Sequence, residues 1–317
     1  MSEMPAGLVA IIRALAEGHA GLADRSGRIS DQYRRTGTSS AVVGEQSDAI
    51  AYALSRMPAT YAAVSRVLEE LQERAPGFAP ATLLDAGAGP GTAAWAASEH
   101  FDGLGKTLFD HNRTFLDLAQ QIAAGLSDDA ELLRHDLGCF SLGRRFDLVT
   151  CAYALTELGD AASLSAAERL WEHTSGVLVI VEPGRPRDYQ RLMAARARLI
   201  ALGGTVLAPC PHDAACPLVA PDWCHFSVRL SRSRDHMRMK GGTLGYEDEK
   251  FSYLVVARPG IGERTLARVI RPPEENKFSV SLPLCAPQGV ELRVVPSRDK
   301  PAFKAAKRLD WGDSLQG

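Results

Sequence analysis

The sequence of 317 residues has no long apolar run. Nothing reaches the ~20 residues a membrane-spanning helix needs, so no membrane association is expected. Net charge is also scarce, with 36 Lys and Arg against 38 Asp and Glu. That balance speaks against a strongly basic DNA-binding protein and against an acidic disordered tail. The first residues include Glu3, Glu17 and Asp24 and hold no unbroken apolar core. Neither a secretory signal nor a mitochondrial presequence fits, and the cytoplasm is the expected compartment. No internal repeat or low-complexity tract is found. What is present is 45% apolar and 23% charged, enough for one enlarged globular core or two domains. In a reducing compartment the six cysteines are expected as thiols or metal ligands rather than disulfides.

The near-neutral total hides an asymmetry. Residues 60–184 hold 8 basic and 18 acidic residues, whereas residues 185–240 hold 10 basic and 4 acidic. The pattern of apolar residues divides the chain in a similar way. Leu8, Ile11, Ile12 and Leu15, then Tyr61, Val64, Leu68 and Leu71, keep helical spacing, giving a helical N-terminal region over 1–76. Pro58 suits the first turn of the second helix, and residues 34–40 read as a loop. From 77 to 203 apolar strand-like runs alternate with helical stretches, the signature of a parallel sheet covered on both faces. Residues 204–249 lose that regularity and carry three cysteines. Residues 250–317 read as last core strands followed by a small β region with a basic end.

Strand 82–86 runs into Asp85-Ala86-Gly87-Ala88-Gly89-Pro90-Gly91-Thr92. Glycines in such a turn let backbone approach a ligand, and the helix that follows offers unpaired N–H groups to an anion. This D-x-G-x-G-x-G form resembles the first motif of class I S-adenosylmethionine-dependent methyltransferases. Two later strand ends reinforce it: Asp110 stands at the offset of the acid that takes ribose hydroxyls, and Asp136 where such enzymes face the adenine amine. Asp110 as a helix cap and Asp136 as a turn residue are the structural alternatives. The expected fold is α/β, a Rossmann-like class I methyltransferase fold with a helical N-terminal region, a Cys-rich insertion and a small C-terminal β region. The expected cofactor site is Asp85, Gly87, Gly89, Gly91, Asp110 and Asp136. The strand at 146–154 lacks the Asn/Asp-Pro-Pro-Tyr/Phe signature of exocyclic-amine methyltransferases and the Pro-Cys pair of cytosine-C5 enzymes. No catalytic residue is therefore assigned. Tyr153 and Glu157 could face a substrate or form the rim, Cys151 reads as a core thiol and Cys139 as a loop or core cysteine.

Cys210, Cys216 and Cys224 follow within fifteen residues, flanked by Pro211, Pro217 and Trp223. A tetrahedral thiolate site needs a fourth ligand, for which Cys285, His212 and His225 are available. Zinc and an iron–sulfur centre both suit soft thiolates. Taken in order, the glycine-rich motif, Val181-Glu182-Pro183-Gly184, the cysteine cluster, Asp248-Glu249-Lys250-Phe251-Ser252-Tyr253-Leu254 and Trp311-Gly312-Asp313 resemble one family. They are similar to the methyltransferase-like small-ribosomal-subunit assembly factors of mitochondria, in their bacterial branch, from about residue 45 to 313. The resemblance implies a 4Fe-4S cluster on Cys210, Cys216, Cys224 and Cys285. It also implies association with the small ribosomal subunit and its rRNA, with methyl transfer dispensable in some members. A non-catalytic assembly factor and a small-molecule methyltransferase with structural zinc are the rival readings.

Basic residues supply the candidate RNA contacts. On a helix over 187–202, Arg187, Arg191 and Arg198 fall within roughly 40° of one another. Arg232, Arg234, Arg238 and Lys240 follow the third cysteine. Gathered on one face, the two sets would neutralise phosphates. Aromatic residues make up only 7% of the chain, so shape and phosphate contact are favoured over base stacking.

Overall fold

A computed structural model describes residues 3–36, 42–240 and 243–315. The chain opens with α1 (Ala6–Ala16), α2 (Leu22–Thr36) and α3 (Gln46–Arg74). Helix α3 corrects the sequence reading: it begins twelve residues before Pro58 and passes through it. Its start is fixed by a reciprocal capping box between Glu45 and Asp48. A proline inside a helix costs about 3 kcal/mol. Here α3 is packed against α2, α4, α5 and β8 along much of its length, and that burial outweighs the lost N–H. Arg34, Arg35 and Thr36, read as loop, end α2; Gly37 to Ser40 lie outside the described residues.

The alternating region holds β1 (Thr82–Ala86), α4 (Thr92–His100), β2 (Gly105–Asp110), α5 (Arg113–Leu126), β3 (Glu131–Arg134), β4 (Phe146–Ala152), α6 (Asp160–Glu172), β5 (Thr174–Pro183) and α7 (Pro186–Ala201). It continues into β6 (Thr205–Ala208), β7 (Phe226–Ser231), α8 (Arg234–Lys240) and β8 (Tyr246–Ala257). Strands β1 to β5 are parallel in the order β3-β2-β1-β4-β5, and antiparallel β8 follows β5. With β6 beyond β8, this is the class I methyltransferase arrangement. The apolar runs of β1, β4 and β5 are buried on both faces, as a covered parallel sheet requires. Helices α1 to α5 pack one core with one face of the sheet, and α6 and α7 pack another.

Residues 204–249 are less irregular than the sequence indicates. Both β6 and β7 pair antiparallel with β8, β6 along its second half and β7 along its first. Alternation is obscured in these strands because each is short and joins an edge. Beyond them, β9 (Ala267–Val269), β10 (Glu274–Glu275), β11 (Ser279–Ala286), β12 (Gly289–Pro296), α9 (Lys300–Ala306) and β13 (Ser314–Leu315) form a second small sheet with its own apolar cluster. The sheet was expected; α9 was not. No helix among the described residues is long and apolar enough to cross a membrane.

Candidate functional site

Strand order reverses at β1, leaving a crevice outside the carboxyl ends of β1 and β4, where open α/β sheets take ligands. A cavity of about 280 Å³ lies there, lined by Asp85, Gly87, Gly89, Asp110 and Asp136 among others. Five of the six expected cofactor residues thus meet at one cavity. Gly87 sits at φ +66°, and a Cβ there would stand 2.6 Å from that of Ala154. The sixth, Gly91, lies under the cavity: at φ +84° it caps α4, and a Cβ would run into Trp95 and Leu108.

The carboxylates hold the glycine-rich turn. Asp85 is buried, accepting from Ala94 N at 3.1 Å and Thr150 Oγ1 at 2.9 Å. Burial pushes its pKa up to about 7. Asp110 accepts from Gly89 N and Asn112 N, each at 2.8 Å, and burial also raises its pKa. Asp136 is exposed at the cavity rim and accepts from Gly138 N at 2.7 Å. Each acid serves as a turn or cap residue while lining the cavity. The structural and ligand-binding readings are therefore compatible.

The far wall comes from Ala152, Tyr153, Ala154 and Glu157. Tyr153 adopts φ +58°, an uncommon conformation for a bulky side chain and a mark of local strain. Its hydroxyl donates to Glu249 Oε1 at 2.9 Å, and Arg56 Nη2 lies 3.8 Å from the same oxygen. Behind it a recess of about 40 Å³ is lined by Tyr33, Tyr52, Arg56 and Tyr153. Beside this wall Glu182 is fully buried at the end of β5 and accepts from Leu155 N at 3.1 Å. Burial, then the neighbouring Asp188, pushes its pKa up to about 8. Sequence reasoning gave Glu182, Glu249 and Arg56 no role. Glu182 and Glu249 lie inside the distinctive segments 181–184 and 248–254, the available signal.

A second constellation forms where the two sheets meet. Cys210, Cys216 and Cys224 from the β6–β7 connection and Cys285 from β11 line one pocket, together with Tyr189, Leu192 and Met193 of α7. Its exposed lining is almost wholly apolar. Burial raises the thiols of Cys210, Cys224 and Cys285, the last to about 12. Tyr189 donates to Cys216 Sγ at 3.1 Å, and His212 Nε2 lies 3.8 Å from Cys285 Sγ. His225 turns away, stacked on Trp223 with ring centroids 4.8 Å apart. Neither histidine lines the pocket, so Cys285 is its fourth sulfur. Among the described residues no three His, Cys, Asp or Glu side chains converge tightly enough to hold a single metal ion. Cys151 is a fully buried core thiol and Cys139 is exposed.

The basic residues are not gathered on one face. Helix α7 packs on the sheet face shared with α6, whereas α8 packs against α2 and α3 on the other. Most are also ion-paired: Arg187 with Asp188, Arg191 with Asp160, Arg198 with Glu168, Arg238 with Asp235. Arg232 and Lys240 share Glu247. Arg234 opens α8. The helical stripe was legible in the sequence; Asp160 and Glu168, which meet Arg191 and Arg198 from α6, were not.

A model of the family described as mitochondrial small ribosomal subunit Rsm22 matches residues 46–316. The human ribosome assembly protein METTL17, mitochondrial, is 30% identical over 292 residues, covering 84% of this chain and 62% of the human protein. The chain therefore spans less than two thirds of that relative. Among solved structures, magnesium protoporphyrin IX methyltransferase from Synechocystis PCC 6803 with bound SAM has a TM-score of 0.43 at 16% identity, covering 74% of this chain and 97% of that one. The N-methyltransferase NodS from Bradyrhizobium japonicum WM9, in complex with S-adenosyl-L-homocysteine, gives 0.41 at 15%, covering 62% and 85%. The family model runs through the glycine-rich crevice, the four pocket cysteines and the second sheet, and the chain belongs to the family described as mitochondrial small ribosomal subunit Rsm22.

Proposed function

We propose that this chain binds S-adenosylmethionine in the β1–β4 crevice and a 4Fe-4S cluster on Cys210, Cys216, Cys224 and Cys285, and acts on the small ribosomal subunit. The observation that carries the reading is the union of Cys285, from the second sheet, with three cysteines of the β6–β7 connection in one apolar pocket. Thiols held neutral by burial become ligands only when a metal takes their protons. A tetrahedral zinc with ~2.3 Å bonds needs sulfurs about 3.8 Å apart. When bound, the cluster would supply negative charge and a link between the two sheets.

In the crevice, Gly87 and Gly89 bring backbone close to the ligand, and Asp110 and Asp136 offer acceptors to ribose and adenine. If a methyl group is transferred, the chain's part is orientation and proximity. The small recess behind Tyr153, closed by Arg56 and Glu249, favours a second reading, in which a non-catalytic assembly factor binds the cofactor for folding or sensing. Structural zinc with a small-molecule acceptor is the remaining alternative.

Phosphate contact is assigned to Arg187, Arg191 and Arg198 on one face and to Arg232, Arg234, Arg238 and Lys240 on the other. The compartment in this proposal is the cytoplasm, although the human relative is named mitochondrial. Calorimetry of cluster-loaded protein tests the crevice: no heat with S-adenosylmethionine or S-adenosylhomocysteine removes that part. Labelled methyl transfer to immature small subunits separates the enzymatic from the non-catalytic reading, with an Asp85/Gly87 double variant as control.

A further inference from the structure

Arg196 on α7 is 3% exposed. Its Nη2 donates to the His212 carbonyl at 2.6 Å, and its Nε has no hydrogen-bond partner among the described residues. The contrast is with Arg268, 1% exposed and lining the cysteine pocket itself. Arg268 is held by both Glu70 oxygens at 2.5 and 2.9 Å and by the carbonyls of Pro209 and Gly312. Among the described residues Arg196 meets no acid; its side chain bonds the His212 carbonyl and reaches the Cys210 side chain. A guanidinium does not deprotonate in a protein, and an unpaired buried charge is strongly disfavoured. Some anion must balance it.

The groups it faces are the cysteines. Arg196 lies close enough to favour the thiolate forms of Cys210 and Cys285 against burial. Seven residues earlier, two turns along the same face of α7, Tyr189 donates to Cys216. One helix face thus presents a fixed cation and a hydroxyl donor to the sulfurs.

We infer that Arg196 is the counter-charge, and Tyr189 a hydrogen-bond donor, for a net-negative thiolate-bound metal centre among Cys210, Cys216, Cys224 and Cys285. The inference rests on the proposed metal centre. Neither residue is a ligand. Both act through the sulfurs, where charge and hydrogen bonds set potential and retention of the metal.

The test uses full-length protein purified anaerobically, as wild type, Arg196→Met, Arg196→Lys and Tyr189→Phe. Iron and sulfide should be retained in all four. Arg196→Met should shift the oxidised-to-reduced ratio at least tenfold towards oxidised, about 59 mV more negative for one electron. Arg196→Lys should recover most of that, and Tyr189→Phe should shift it less in the same direction. Bleaching by a chelator should accelerate in the same order, and it decides alone if no reduction is observed. Arg196→Gln replaces the methionine variant if that fails to fold. A neutral variant with wild-type potential and bleaching rate overturns the inference. Wild type carrying zinc and no sulfide overturns the cluster reading alone. The counter-charge is then judged by zinc release, which the neutral variant must speed at least tenfold. Wild type with no metal overturns both.

Discussion

The crevice and the cysteine pocket are built in opposite ways. The crevice comes from one contiguous turn and three strand ends, so a short stretch of sequence supplies both its backbone donors and its carboxylates. Its lining mixes polar and apolar groups, and its three carboxylates already accept local hydrogen bonds. The pocket draws on α7, the β6–β7 connection, β8, β9 and β11. Its lining is almost wholly apolar, burial raises the thiols of Cys210, Cys224 and Cys285, and Arg196 beside them meets no acid among the described residues. On the proposed reading the crevice needs no ligand to satisfy its polar groups, whereas the pocket does. Metal loss should damage the fold, and cofactor loss should not.

Cys224→Ser breaks that comparison most directly. Metal binding contributes to folding free energy, and the variant should lose its metal with a fall in thermal midpoint of roughly 10 °C. Unchanged midpoint and metal content would make the pocket ordinary core. Gly87→Val comes next. Its side chain meets Ala154, and calorimetry should show S-adenosylmethionine affinity down about a hundredfold, ~2.7 kcal/mol, with metal content intact. Asp110→Asn should weaken the cofactor about tenfold, ~1.4 kcal/mol.

Smaller still is a pH effect. Glu182 titrates near 8 in the fold against an ordinary 4.5, so the fold favours its protonated form. Its stabilisation is complete below about pH 4.5 and is lost as pH rises through 8. Thermal midpoints should therefore fall with pH more steeply in wild type than in Glu182→Gln, and parallel profiles would remove this role. The smallest effect is expected for Arg191→Ala with Arg198→Ala. Both arginines are already paired with acids, and affinity for small-subunit RNA should drop less than about threefold, with a slightly shallower salt dependence.

The same contrast explains what the sequence could reveal. The turn at 85–92 and the acids after β2 and β3 are local, so a short motif and its resemblance to class I methyltransferases sufficed to name them, and five of the six line the cavity. Cys285 was reached only because cysteine is rare and the family resemblance named it; no periodicity links β11 to residues 210–224. Arg196 was missed because attention fell on the stripe at 187, 191 and 198. The face of α7 turned to the cysteines is the one carrying Tyr189 and Arg196, and facing them is a tertiary property. Pro58 misled for a similar reason, since local propensity marks a helix start where packing on α3 overrides it. The strands β6 and β7 were hidden because they are edge strands whose partner, β8, comes later in the chain.

On the proposed reading an iron–sulfur centre completes the pocket. The direct measurement is iron, acid-labile sulfide and absorption of anaerobically purified full-length protein, beside Cys285→Ser. The account predicts about four iron and four sulfide per chain with a broad band near ~400 nm, lost in the variant. A colourless protein with zinc and no sulfide, or a Cys285→Ser variant with unchanged iron, would contradict it.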